Sequence, residues 1–336
     1  NLNNDGHQIS WGTGTTGFNG KKLILGASSA THTVDLQNAI DLGGGSTATR
    51  TLQVDNGAAD VDGILSGNIT GATGYNLAKT GTGTVVLSGA SNTYVGTTTV
   101  SAGALRVTGA KTGTGAVTVQ ASGALGGTGT VNGAVTVQAG GKIALTDGAV
   151  GTLNLGTSLT VSGSAANPSN LFFDLGNGAG GTDKVVVAGA HTAATANGAM
   201  IHLNQLSGGA VDPGTYTLIQ GGAASNFTGY ALATTRAGHN LYSALGASGN
   251  DLQVTVAAGN AGDSLSNQYW LGDTSVWNSQ QWYADSDATV TAAAPGYSSN
   301  VRFAASGAAN LTTTLGEDYE INSLTVDSGL DAVSIS

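Results

Sequence analysis

The chain has 336 residues, of which 55 are Gly, 3 are Pro and none is Cys, and only 9% are charged. Its net charge of −10 disfavours nucleic acid and anionic membranes as partners, because like charges repel. Few Lys and Glu beside many Thr, Val, Asn and Gly argue against helices and favour strands. No apolar run approaches the roughly 20 residues of a membrane helix, so we expect no membrane insertion in this segment.

Short alternating apolar residues, separated by Gly and Asn turns, run through residues 1–75. Val34 alternates with Leu36, and Leu52 alternates with Val54. A period of two between turn residues is the pattern of half-buried strands. This part of the chain is therefore predicted to consist of short strands.

The densest group of carboxylates is Asp55, Asp60 and Asp62. Asp60 to Gly63 resembles half of a calcium loop, but Gly71 stands where that loop needs a bidentate Glu. The three Asp are weak Ca²⁺ candidates, and the simpler hypothesis is that they are solvated turn carboxylates. We predict no other metal site, no cofactor and no catalytic residue, since the sequence contains no G-x-S-x-G nucleophile elbow and no H-E-x-x-H zinc-binding motif. The chain is therefore not expected to be an enzyme.

The clearest internal repeat lies between residues 76 and 165. The hexapeptide GAVTVQ occurs at 115–120 and again at 133–138. In each copy two Val flank a Thr, which predicts buried Val and outward Thr. A period near 20 with short strands and small turn residues is typical of a solenoid, in which each coil packs on its neighbours. Uniform coils of that length would number about 15 and form a rod on the order of 70 Å long.

The stretch Leu77–Val107 carries the most specific motif, LAKTGTGTVVLSGASNTYVGTTTVSAGALRV. It resembles the autotransporter-associated β-strand repeat, although the Asn before the Tyr is displaced one place, to Asn92. The matching residues are Lys79, Thr80, Gly81, Gly83, Leu87, Ser88, Gly89, Tyr94, Gly96, Val100, Ala102, Gly103 and Leu105. The resemblance implies a right-handed parallel β-helix exported to the surface of a Gram-negative-type bacterium. It implies no chemistry.

The second half of the chain continues the alternation in longer coils, and His202 is predicted to face solvent between inward apolar neighbours. A parallel β-helix is predicted over residues 1–262. Residues 263–336 are Trp-rich and resemble the opening coil of a further unit in the same surface proteins. We interpret them as a capping or junction segment that starts the next β-helical unit.

That segment contains an aromatic cluster with two open interpretations. Exposed rings would stack on sugars, whereas buried rings would cap a coil and cover its strand edges. The cap is the favoured interpretation. The cluster consists of Tyr269, Trp270, Trp277, Trp282 and Tyr283.

These patterns predict an all-β protein, a right-handed parallel β-helix with a Trp-rich junction near its C-terminus. The expected function is that of an extracellular or cell-surface rod or fibre element. Its partners would be copies of itself or adjacent repeat units, joined head to tail. Joining residue 336 to residue 1 would restore the strand order, so one period of a tandem array is expected; the alternative is a fragment of a passenger domain.

The alternative function is that of an adhesin, an autotransporter passenger that binds surface glycans or host surfaces. An adhesin would expose the aromatic cluster or a groove on the side of the coils. A polysaccharide-active enzyme would instead gather carboxylates in one cleft. A structural protein requires neither feature, but it needs large complementary ends.

Overall fold

A computed structural model gives the fold of the chain. It describes residues 7–12, 22–43, 48–176, 181–193, 195–206, 214–233, 244–256, 267–272, 276–277, 282–284, 286, 291–292, 295, 299–303, 312–315, 321, 323–326 and 333–335. Within these residues the structure is all-β and has no α-helix. Accordingly, none of the described segments offers a helix able to cross a lipid bilayer.

The described residues form short strands that end at Gly or polar turn residues. The first sixteen are β1 (Ile9–Ser10), β2 (Lys22–Leu25), β3 (Val34–Leu36), β4 (Ile40–Asp41), β5 (Ala48–Val54), β6 (Gly63–Leu65), β7 (Ile69–Thr70), β8 (Tyr75–Thr80), β9 (Thr84–Leu87), β10 (Thr98–Val107), β11 (Ala110–Lys111), β12 (Val117–Gly126), β13 (Thr130–Val131), β14 (Val135–Gln138), β15 (Lys142–Ala144) and β16 (Thr152–Leu155). The others are β17 (Leu159–Ser162), β18 (Ser169–Leu175), β19 (Lys184–Val187), β20 (His191–Ala193), β21 (Ala199–Gln205), β22 (Gly214–Gln220), β23 (Tyr230–Leu232), β24 (Ala244–Ser248), β25 (Asp251–Val256), β26 (Asn267–Trp270), β27 (Trp282–Tyr283), β28 (Thr291–Ala292), β29 (Asn300–Phe303), β30 (Thr312–Thr313), β31 (Ser323–Val326) and β32 (Ser334–Ile335).

Parallel strands stack in chain order on several sheets. The longest path, β2-β5-β8-β10-β12-β15-β18-β21-β23, belongs to a 15-stranded sheet. A 7-stranded sheet has the order β11-β13-β16-β19-β22-β25-β24, and β1-β4-β7 form a third. Because most strands that pair in parallel are separated along the chain by strands that pair elsewhere, and this order repeats, the arrangement is consistent with a β-helix.

The strand register explains the internal repeat. Val117 pairs with Val135 and Val119 pairs with Val137, so the two GAVTVQ copies lie directly above one another. The Val side chains are buried, while Thr118 and its partner on the next strand are partly exposed. The predicted alternation is therefore confirmed here.

Coil length varies more than the repeat predicts. Ala124 pairs with Lys142, and Lys142 pairs with Asn170. Asn170 in turn pairs with Met200, so these four residues lie on successive coils. The chain segments from Lys142 to Asn170 and from Asn170 to Met200 are much longer than the segment from Ala124 to Lys142. The additional residues lie between strands and add no height to the stack. The prediction of uniform 20-residue coils is therefore wrong. Among the described residues, the longest path of paired strands in the 15-stranded sheet has nine strands.

The parallel order ends at β22. This strand pairs in parallel with β19 but antiparallel with β25, and β24 also pairs antiparallel with β25. The parallel β-helix predicted for 1–262 is thus wrong for these last strands. The reason is a two-residue turn between Ser248 and Asp251, where Gly249 has a φ of 61°, as tight hairpin turns require. The predicted boundary at 262 lies outside the described residues.

Apolar side chains form two cores. The larger extends from Trp11 to Val256 through the stacked coils. The smaller contains Trp270, Trp277, Trp282, Val301 and Phe303. Around it, β26, β29 and β31 are parallel, whereas β27 and β28 are antiparallel. That residues 263–336 start another β-helical unit stays a prediction.

Candidate functional site

Lys79, in the motif of residues 77–107, is a buried lysine that clamps three carbonyl groups. It lies on β8, whose alternating pattern turns every second side chain inward. Its Nζ donates to the carbonyl oxygens of Thr80 (3.1 Å), Gly81 (2.9 Å) and Ala102 (3.0 Å). The ammonium group therefore ties the turn after its own strand to the next coil.

Asp62 is a buried carboxylate beside this clamp. Its Oδ1 accepts a hydrogen bond from Gly57 N–H (2.6 Å) and its Oδ2 from Thr84 N–H (2.8 Å), which joins two successive coils. Burial lowers the pKa of Lys79 to about 8, although the charges of Asp62 and Asp55 act in the opposite direction. Desolvation of the ammonium group therefore outweighs its attraction to the two carboxylates.

The three weak Ca²⁺ candidates lie in different environments. Asp55 is partly buried and accepts hydrogen bonds from Gln53, Asp60 is exposed, and Asp62 is buried with both oxygens engaged by amides. No group of three His, Cys, Asp or Glu residues in the described ranges could hold a metal ion. Of the three, Asp62 departs from the solvated-carboxylate hypothesis because it holds two turns together.

Lys111 is a second buried lysine in the coil that follows the motif. Its Nζ donates to the carbonyl oxygens of Gly113 and Gly115, each at 2.8 Å, and lies 4.8 Å from the ring centroid of Tyr94. Burial lowers the pKa of Lys111 to about 8. Burial also raises the pKa of Tyr94 to about 12, although its hydroxyl bonds to Thr98 Oγ1 at 2.7 Å.

A similar cation–ring pair occurs at Arg50 and Tyr75. The Arg50 guanidinium lies 5.4 Å from the Tyr75 ring centroid, and its Nε donates to the carbonyl oxygen of Leu42 at 3.0 Å. Both side chains are buried. Cations held by carbonyl oxygens and ring faces are therefore a repeated feature of these coils.

Two glycines of the motif permit the coils to approach closely. A Cβ at Gly96 would overlap the carbonyl oxygen of Tyr75 in the coil beneath. Gly103 has a φ of 64°, and its Cβ would overlap the carbonyl oxygen of Gly83. These positions exclude any side chain, because the neighbouring atoms belong to backbone.

The displaced Asn of the motif, Asn92, is also buried and bonded. Its Oδ1 accepts from Ile69 N–H at 2.9 Å, and its Nδ2 donates to the carbonyl oxygens of Gly89 (3.1 Å) and Ala110 (3.2 Å). The amide therefore connects three levels of the stack. At its shifted position, Asn92 is a structural residue of this corner.

The aromatic cluster of the second core is largely inaccessible. Trp270, Trp277 and Trp282 are at most 2% exposed, and their ring centroids lie 5.4 to 6.0 Å apart. Tyr269 and Tyr283 pair across β26 and β27 and are partly buried. A sugar-stacking role does not fit the three buried indoles. Their packing supports the cap interpretation, which stays a prediction.

Two histidines make contacts that sequence patterns did not predict. His202 does not rely on solvent: its Nε2 lies 2.8 Å from Asn170 Oδ1, and its ring stacks on Phe172 with centroids 4.3 Å apart. His191 is fully buried, 2.9 Å through Nε2 from the carbonyl oxygen of Asn250 in the hairpin turn. Burial lowers the pKa of both imidazoles. Lys142 adds to this effect on His202.

One comparison with known protein families gives a match. The model of the passenger-associated-transport-repeat matches residues 77–107. No curated protein matches the chain. The matched stretch contains the Lys79 clamp, the close-approach glycines and Asn92, and the match is consistent with an autotransporter passenger repeat. Such a repeat implies a secreted or surface-exposed protein of Gram-negative bacteria.

Proposed function

We propose that the chain is a right-handed parallel β-helical rod that serves as a structural, non-catalytic element outside the bacterial cell. Stacked parallel strands on several sheets and the passenger repeat support this proposal. Right-handed connections are the rule between parallel strands. In such a rod the backbone hydrogen bonds run along the axis, and each coil buries its apolar face on its neighbours.

The observation that carries the proposal is the open apolar side of β31. Leu324 pairs with Val301 and Val326 pairs with Phe303, so all four side chains point to the same side of the sheet. Val301 and Phe303 are fully buried, but Leu324 and Val326 are 47% and 49% exposed. Among the described residues no further strand pairs with β31. Within the described residues, no coil covers the core on this side of β31.

The proposed cover is an end coil of a second copy or adjacent repeat unit. β31 ends the 5-stranded sheet, whereas β2 ends the longest path of the 15-stranded sheet and carries Leu23 and Leu25 at the spacing of Leu324 and Val326. Parallel pairing between β31 and β2 would extend both sheets. Because the two surfaces differ, the contact is head to tail, and it gives a filament unless it closes into a ring.

Analytical ultracentrifugation of the chain and two single variants tests this contact. We expect the unmodified chain to associate increasingly with concentration. Leu324→Lys places a charge on the open apolar side and should weaken association roughly tenfold or more. Thr325→Lys adds the same charge on the opposite side of the strand and should associate like the unmodified chain. A chain that stays monomeric, or a Leu324→Lys variant that associates normally, would contradict the proposal.

Glycan binding by an adhesin passenger is the second candidate function. Because the three Trp side chains are buried, a sugar-binding site would have to lie outside the aromatic cluster. The sides of the coils, where polar turns stack, remain accessible to a ligand. This candidate is compatible with a rod, because a rod can present such sites away from the cell.

A further inference from the structure

A polar groove lies at one corner of the first coils. It has a volume of about 500 Å³. It follows the turns after β3, β6 and β9, so three stacked levels contribute to it. Its main lining residues are Gln8, Gln37, Ala39, Ser66, Asn68 and Ala90. The volume lies within the roughly 300–1,000 Å³ of small-ligand sites.

The glutamine side chains of the groove are each held at one end. Gln8 donates through Nε2 to Thr70 Oγ1 at 3.1 Å, and Gln37 donates through Nε2 to Asp35 Oδ2 at 2.9 Å. Among the described residues, neither Oε1 has a hydrogen-bond partner. Each amide is therefore positioned by the protein and still presents an acceptor.

Asn68 presents the complementary group. Its Oδ1 accepts from Ser91 N–H at 3.0 Å, and no described residue accepts a hydrogen bond from its Nδ2. Asp35 is already engaged, because Oδ1 accepts from Ser66 Oγ at 2.7 Å and Oδ2 accepts from Gln37. The groove thus offers amide donors and acceptors, and the neighbouring carboxylate of Asp35, which is not among its lining residues, is hydrogen-bonded.

We propose that this groove binds a neutral oligosaccharide. Sugar hydroxyls both donate and accept hydrogen bonds, which matches the amide groups of Gln8, Gln37 and Asn68. Ala39 and Ala90 give small apolar surfaces for the C–H faces of sugar rings. The net charge of −10 disfavours acidic glycans. The proposal rests on the adhesin candidate and is independent of the contact at β31.

The test uses a tryptophan that fills the groove. Ala90 is exposed, so Ala90→Trp should block the site without disturbing the core. Ala58, an exposed alanine in a turn outside the groove, gives the matched control Ala58→Trp. The probes are immobilised short neutral oligosaccharides, with sialylated and sulfated ones beside them. Circular dichroism checks that each variant folds.

We expect the unmodified chain and Ala58→Trp to retain one class of neutral oligosaccharide, with binding roughly tenfold weaker or absent in Ala90→Trp. Gln37→Ala, which removes an acceptor without adding bulk, should also weaken binding. Retention of acidic glycans alone, of no glycan, or equal binding by Ala90→Trp would overturn the proposal. Sedimentation of the same proteins separates this result from the β31 contact, since the groove variants should associate normally.

Discussion

At the scale of single residues, the coils hold buried cations by means of carbonyl oxygens. Lys79 and Lys111 each donate to carbonyl groups where the chain turns between strands. A buried ammonium group is costly unless its protons are hydrogen-bonded. Each lysine therefore donates to several carbonyl oxygens at once.

Replacing Lys79 by methionine should therefore destabilise the coils. Lys79→Met keeps most of the side-chain volume but leaves the carbonyls of Thr80, Gly81 and Ala102 without this donor. We expect a loss of about 2 to 3 kcal/mol in the free energy of unfolding. Lys22→Met is the control, because Lys22 is exposed, and it should change stability by less than about 0.5 kcal/mol. Urea unfolding followed by circular dichroism measures both, and equal midpoints would contradict the clamp.

The free energy of unfolding should also rise with pH between about pH 8 and pH 10. Burial lowers the pKa of Lys79 and Lys111 from 10.5 to about 8, so between these values the unfolded chain binds more protons than the folded chain. The free energy of unfolding therefore increases as pH rises from 8 towards 10. Tyr94 has the opposite effect above pH 10, because its pKa is raised to about 12 in the folded chain.

Urea midpoints measured from pH 7 to 11 test this expectation. The unmodified chain should have its highest midpoint near pH 10. In Lys79→Met/Lys111→Met the rise above pH 8 should disappear. A midpoint that falls steadily from pH 7 in the unmodified chain would show that the lysines are not desolvated.

At the scale of strands and turns, coil spacing depends on glycines that face backbone. Gly96→Ala would push a methyl group into the carbonyl oxygen of Tyr75 and should cost about 1 to 3 kcal/mol. Gly246→Ala, on exposed β24, has no atom within 4 Å of the added Cβ. It should leave stability within about 0.5 kcal/mol. Thermal unfolding of both variants makes the comparison, and equal transition temperatures would refute close coil contact at Gly96.

Strand positions were predictable where burial alternates strictly. Val117 and Val119 could be placed inward from the sequence because their copies at 135 and 137 repeat the same pattern. The hairpin of β24 and β25 was missed, although Gly249 and Asn250 between alternating residues are a hairpin signal. The continuing apolar alternation gave no information about strand direction, because parallel and antiparallel strands share a period of two.

Side-chain roles were less predictable than strands. The sequence motif identified Lys79 and Asn92 but not their partners, several of which come from other coils. His191 lies in register with Leu159, so an imidazole occupies an apolar column that no local pattern marks. The burial of the Trp cluster depends on β29, a strand well separated from it in the sequence.

At the scale of the whole molecule, each stacked parallel strand adds length along the stacking direction and does not widen the cross-section. The nine strands of the longest path alone extend roughly 40 Å at about 4.8 Å per level. In the proposed rod, a coil added at β31 would add length and leave the cross-section unchanged. Sequence periodicity anticipated this architecture, but the covering of each end depends on contacts that periodicity does not encode.

Small-angle X-ray scattering across a concentration series tests the rod most directly. We predict an elongated particle whose maximum dimension increases with concentration while its cross-sectional radius stays constant. The same series on Leu324→Lys should show the elongated particle without the increase in length. A compact particle, or a cross-section that widens as copies associate, would contradict a β-helical rod that extends from its ends.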